Sequence, residues 1–161
     1  MKTRNLVLLA LFIAISFIGS YLKIAGSIAF DSMAAFLGAL ILGPKYGAII
    51  GSLGHLLTAI TSGFPLTLPA HLIIMVEMAI TMYVFGLLYK LLSKRGITLS
   101  TIISSLVAII LNGPLSLLIL VPILGIGIIT LIPVLSFAAF LNVFIAFLVY
   151  NLLPKSIKAW K

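Results

Sequence analysis

The sequence predicts an all-α integral membrane protein with six transmembrane helices in one domain covering residues 1–161. Three observations lead there. Hydrophobic residues make up 63% of the chain and charged residues 7%, whereas a soluble domain carries about 25% charged residues. Ten basic and two acidic side chains cannot clothe a water-facing surface. The mean hydropathy is +1.41, and apolar runs recur at lengths that suit a hydrocarbon core, which a helix crosses in roughly 20 residues. The formal charge of +8 would suggest nucleic acid in a soluble protein. In a membrane protein it reports topology instead, because Lys and Arg gather in cytoplasmic loops, so no nucleic-acid partner is expected.

The first span, about 5–22, follows Lys2-Thr3-Arg4. Its uncharged run from Asn5 to Leu22 exceeds the 7–15 residues of a signal-peptide core and no clean Ala-x-Ala site follows, so it is read as a span and not as a cleaved leader. The second, about 30–43, is short enough to be re-entrant. The basic residues decide between the two readings. With six crossings and a cytoplasmic N-terminus, every Lys and Arg except Lys23 faces the cytoplasm. If 30–43 did not cross, Lys2 and Arg4 alone would remain inside, against the positive-inside bias. The third span, about 46–62, opens after Gly43-Pro44-Lys45, and the fourth, about 69–91, follows the Gly- and Pro-containing loop 61–69. Ser93-Lys94-Arg95-Gly96 turns the chain into the fifth, about 99–121, and the sixth covers about 131–153. Both termini then lie in the cytoplasm, and the chain is expected to be a multi-pass protein of the cell membrane.

Much chemistry is excluded. The absence of Cys removes disulfides, iron–sulfur ligation and thiol nucleophiles. There is no phosphate-binding Gly-x-x-x-x-Gly-Lys-Ser/Thr, no His-Glu-x-x-His and no Gly-x-Ser-x-Gly. A paired-carboxylate mechanism would need Asp31 and Glu77 together, since they are the only acids. The chain is therefore not expected to be an enzyme, to hold a cofactor or to hydrolyse ATP itself. His55, His71, Asp31 and Glu77 are metal-ligand types, but their spacing fits no ligand motif and no metal site is expected.

The polar groups within spans mark candidate sites, because ionisable groups at membrane depth are costly. Glu77 lies about 12 Å down span four at a 1.5 Å rise, and serves either a ligand or interhelical bonding. His55 sits mid-span with Ala48, Gly51, Ala59 and Ser62 on its face, a stripe that also suits close helix packing. His71 opens span four, about 120° around the helix from Glu77, so the two converge only on a bulky ligand. Asp31 reads first as an N-terminal cap of span two, with Ser32, and second as a ligand contact. Asn112 precedes Gly113-Pro114, where proline breaks the helical hydrogen bonding, and broken helices are tolerated at membrane depth where they line a cavity. Asn142 stands among Ala138, Ala139 and Ala146; for both Asn residues interhelical bonding is the plain alternative. Phe64, in the stiff loop 61–69, is placed to cover a ligand. One polar group from each of spans three to six, at middle or outer depth, argues for an outward-opening pocket for a small polar or aromatic molecule.

The segment Asp31-Ser32-x-x-Ala35-x-x-Gly38-Ala39-x-x-x-Gly43-Pro44-x-x-Gly47-Ala48-x-x-Gly51-x-x-Gly54-His55 resembles the substrate-binding S components of energy-coupling-factor (ECF) vitamin transporters. Those proteins commonly show an Asp, then Gly-Ala, then Gly-Pro-x-x-Gly-x-x-x-Gly, often ending in Asp. Here His55 stands at that end, and the usual Pro after the first Asp is missing. Ala10-Leu11-Phe12-Ile13-Ala14 is similar to the Ala-x-x-x-Ala by which S components dock on their coupling subunit. Gly63-Phe64-Pro65-Leu66, His71-Leu72 and Glu77-Met78-Ala79 look most like the S components assigned to cobalamin precursors such as α-ribazole. The resemblance implies capture of a vitamin or precursor from outside and docking through Ala10 and Ala14. It also implies assembly with a transmembrane coupling subunit and two ATPases, which release the solute inward by toppling the subunit in the bilayer. A stand-alone proton-coupled secondary transporter, with Glu77 or His55 carrying the proton, is the alternative. A structural membrane subunit whose polar groups only join helices comes third.

Overall fold

The computed structural model describes residues 3–21, 23–24 and 28–158. Its helical rods occupy the apolar stretches marked by the sequence. They are α1 (Thr3–Gly19), α2 (Asp31–Leu42), α3 (Pro44–Thr61), α4 (Leu68–Ser93), then α5 (Ile97–Ile110) running through a π-helical turn (Leu111–Leu115) into α6 (Ser116–Leu124), and α7 (Ile132–Leu152). A short α8 (Lys155–Lys158) ends the described chain. The two-residue strands β1 (Lys23–Ile24) and β2 (Ile28–Ala29) pair antiparallel between α1 and α2. The rods Leu68–Ser93, Ile97–Leu124 and Ile126–Leu152 have the length and apolar composition to cross a membrane, and α1 and α2 are shorter apolar helices. The outward side chains include Val7, Ile18, Val76, Leu106 and Phe144, all more than half exposed, as suits a surface wetted by lipid.

The short second helix is the centre of the bundle. Ten of the twelve residues of α2 are buried, and it packs against α1, α3, α4 and α7. This explains a helix of only about 18 Å: it is shielded by protein on all sides, where a segment of 10–14 residues belongs. Small residues let its neighbours approach. A Cβ on Gly51 of α3 would lie 2.7 Å from Met82 Cγ, and one on Gly86 of α4 would lie 3.0 Å from Pro44 Cα. Gly47 is pressed on Ala39 and Gly54 on Ser16. Thus Gly47, Gly51 and Gly54 are the packing stripe of α3, turned partly away from the Ala48–Ser62 face that the spacing suggested. Aromatic rings fill the remaining core, with Phe36 and Phe85 edge-to-face at 4.9 Å and Phe85 against Phe147 at 5.7 Å.

Two breaks shape one end of this bundle. Gly43, at φ 103°, turns α2 into α3 with Pro44 opening the new helix, a backbone angle that favours glycine. Pro114 cannot donate a backbone hydrogen bond, and the rod absorbs this by a π turn in which Ser116 N–H donates to the Leu111 carbonyl five residues back. A Cβ on Gly113 would meet Ser136 Oγ of α7 at 2.9 Å, so the turn is held close against its neighbour. The expected kink is therefore a bulge. The linker between the last two rods is not a plain loop either: Ile126–Leu131 forms a 3₁₀ segment.

Candidate functional site

The start of α2, the end of α3, the start of α4, the π turn, the 3₁₀ segment and the start of α7 meet at one end of the bundle, around a cavity of about 530 Å³. This size falls within the range of small-molecule sites. Among the described cations, Lys45, Lys90, Lys94 and Arg95 are exposed at the opposite end of the bundle, where α2 meets α3 and where α4 ends.

One wall is polar. Asp31 Oδ2 lies 3.9 Å from His55 Nδ1, and His55 Nε2 lies 3.2 Å from His71 Nδ1, so the three side chains form a row across α2, α3 and α4. Asp31 and His55 retain 12% and 13% exposure, enough to meet a small molecule yet sheltered from bulk water. His71 Nε2 is buried without a hydrogen-bond partner, an unusual state for an imidazole nitrogen. Thr58 and Ser62 continue this wall one and two turns beyond His55. Leu117, Leu120, Ile128, Leu131, Val134 and Leu135 add an apolar lining from α6, the 3₁₀ segment and α7, interrupted by Ser116 and Asn142.

Asp31 does not cap its helix. Phe30 occupies the cap position with no side-chain bond, and Asp31 is the first residue of α2. The capping expectation is corrected, because a side chain inside the first turn points away from the amides it would cap. It still places its carboxylate at the favourable end of the helix dipole, and its carbonyl accepts a 2.7 Å hydrogen bond from Ser16 Oγ. Asn142 supplies what Asp31 does not. Its Oδ1 accepts from Met33 N–H at 2.8 Å, its Nδ2 donates to the Ala138 carbonyl at 2.9 Å, and it also lines the cavity. The interhelical reading of Asn142 is thus seen, alongside its position in the wall.

The remaining predicted residues divide. Asn112 lines the cavity from the π turn. Phe64 is outside the lining: it sits in the 62–67 loop at φ 51° with its ring edge-on to His71 at 5.8 Å, while Pro65 and Leu66 reach the cavity. Glu77 faces a separate apolar groove between α4 and the α5–α6 rod, among Val76, Ile80, Leu111, Leu115 and Ile119. Its Oε1 accepts from Thr81 Oγ1 at 2.7 Å, and its buried Oε2 forms no hydrogen bond of good geometry, although the Ser116 hydroxyl is near enough to feel the carboxyl. Ser116 lines the cavity, so Glu77 stands one layer behind its wall. His71 and Glu77 diverge as their six-residue spacing predicts. Ala10 and Ala14 lie exposed on the outer face of α1, beside Leu11 and Ile18.

Sequence reasoning missed the 3₁₀ wall, while Ser116, which helical spacing puts on the face of Asn112, lines the cavity with it. Gly125 and Gly127, flanking apolar residues outside the expected spans, were the available signal for the 3₁₀ wall. The row formed by His55 and His71 also had a signal: they stand on consecutive helices at similar distances from one connecting loop.

A mainly apolar cavity crossed by a polar row, enclosed in a small helical bundle, is suited to hold a small solute. The model of the family described as "ECF transporter, substrate-specific component" matches residues 4–157, and the chain belongs to that family. It is accordingly a substrate-capture subunit of an ECF importer, which works with ECF membrane and ATPase subunits on a small-molecule substrate. Neither the curated proteins nor the solved structures contain a match.

Proposed function

We propose that the cavity at the Asp31–His55–His71 row captures a vitamin or vitamin precursor, with α-ribazole or a related cobalamin precursor the best fit, from the extracellular side of a prokaryotic cytoplasmic membrane. The observation that carries this reading is the cavity itself: about 530 Å³, in which a row of hydrogen-bonding groups is combined with a larger aliphatic surface. A nucleoside-like solute has the same combination. Its sugar hydroxyls suit His55, His71, Asp31 and Asn112, and its fused ring suits the leucine-rich wall, with Phe64 beside it on the rim. Asn142 holds the start of α2 in place under them, and Glu77 supports the wall from behind Ser116.

The direction of capture follows from charge. Six crossings with both termini cytoplasmic put the exposed Lys45, Lys90, Lys94 and Arg95 inside, and the cavity end outside. The exposed Ala10–Ala14 face of α1 then docks the coupling subunit, which two ATPases drive. Native mass spectrometry of the chain purified in detergent tests the reading. A stoichiometric co-purifying solute, reproduced by calorimetric binding of α-ribazole and lost in folded His55→Ala protein, is the expected result. An empty protein that binds none of α-ribazole, thiamine and pantothenate would overturn it.

A further inference from the structure

The cavity has one formal charge among its described lining residues, the Asp31 carboxylate. The His55 imidazole Nδ1 stands 3.9 Å from it, outside hydrogen-bond range. No Lys or Arg is among the described residues of the wall, and the exposed cations of α3 and α4 sit at the far end of the bundle. The other polar groups are hydroxyls, amides and two imidazoles, which present donors or acceptors according to tautomer.

We infer that the cavity selects its solute by charge: it admits a neutral or cationic molecule with an apolar face and rejects carboxylates and phosphates, and Asp31 is the residue that sets this preference. The inference rests on the capture site being this cavity. An anionic solute would lie within a few ångströms of a sheltered carboxylate, with no Lys or Arg among the described lining residues to offset the repulsion, and that repulsion grows as water is excluded. A cationic or hydrogen-bond-donating group meets the opposite situation. The aliphatic part of the lining requires an apolar body. Asp31 is anchored through its backbone carbonyl by Ser16, so its side-chain charge can be altered without disturbing that anchor.

The test uses the full chain in detergent at pH 7.5 and three benzimidazoles of matched shape, carrying an aminomethyl, a hydroxymethyl or a carboxyl group at the same ring position. Thermal stabilisation and calorimetric affinity are measured for the wild type and for Asp31→Asn. The amine and the alcohol are expected to bind at least about tenfold more tightly than the carboxylate. In Asp31→Asn the preference for amine over carboxylate should collapse toward equality. Equal or tighter binding of the carboxylate by the wild type would overturn charge selection while leaving capture intact. If none of the three binds, the net charge of the co-purifying solute decides: a neutral or cationic solute supports the inference and an anionic one defeats it. No binding together with an empty protein removes the capture reading and this inference with it.

Discussion

His55 and His71 touch each other, yet their removal should have different consequences. His55 faces Asp31 on one side and His71 on the other, so His55→Ala cuts the polar row in the middle. It is expected to weaken α-ribazole binding about tenfold or more, the scale of one or two lost hydrogen bonds, as read by calorimetry. Glu77→Gln should leave that affinity within about threefold, because the carboxyl lies behind Ser116 and its bond from Thr81 survives in the amide. A loss of binding in Glu77→Gln as large as in His55→Ala would place Glu77 in direct contact with the solute. Asn142→Ala should lower stability in detergent unfolding by about 1–3 kcal/mol, since it strands the Met33 amide at the buried start of α2. The identity of these polar residues was legible in the sequence, because they are the few costly groups in an apolar chain. Their grouping was less so. Helical spacing alone separates His71 from Glu77, but it cannot say which of the two faces the cavity, a matter settled by the neighbours of α4.

Among the elements, close approach at small residues governs stability. Gly51→Val would drive a side chain into Met82, Met78 and Ala35, and overpacking of this kind costs about 1–3 kcal/mol. The thermal midpoint of the purified protein should fall accordingly, whereas Gly127→Ala, in open space, should change it little. Apolar runs between charges located all the long rods, because a bilayer-sized element must be apolar throughout. Their breaks were harder to read. Pro114 announces an interruption without stating that the chain resolves it by widening one turn, since that choice depends on how near Ser136 of α7 lies. The 3₁₀ segment Ile126–Leu131 is as apolar as the rods beside it, so hydropathy could not set it apart.

For the whole molecule, binding and transport should be separable. Ala10→Leu with Ala14→Leu alters only the exposed side of α1, so solute binding in detergent should persist while ATP-dependent uptake into vesicles bearing the coupling and ATPase subunits fails. Uptake unchanged by both leucines would move the docking surface elsewhere. The absence of native Cys makes single-cysteine labelling free of background: a probe at Lys94→Cys should react only from the cytoplasmic side and one at Phe64→Cys only from outside. The family was legible from the Asp31–His55 pattern because glycines there mark where helices must touch, and touching helices define the fold. The solute was not, since its selection depends on side chains contributed by distant parts of the chain.

The enclosed position of α2 also bears on how the protein enters a membrane. A twelve-residue helix is too brief to be retained by lipid on its own, given the roughly 20 residues a stable crossing needs. The tight Gly43-Pro44 corner joins it directly to α3, and the glycine-lined seam between them allows the two to zip together as soon as both have left the ribosome. Biogenesis would then proceed by partitioning of this hairpin as one unit, with the insertion machinery holding α2 until α3 is synthesised. In chains stalled with α2 but not α3 clear of the ribosome, a single cysteine replacing the buried Phe36 should react with water-soluble thiol reagents, and in chains stalled with both clear it should be protected.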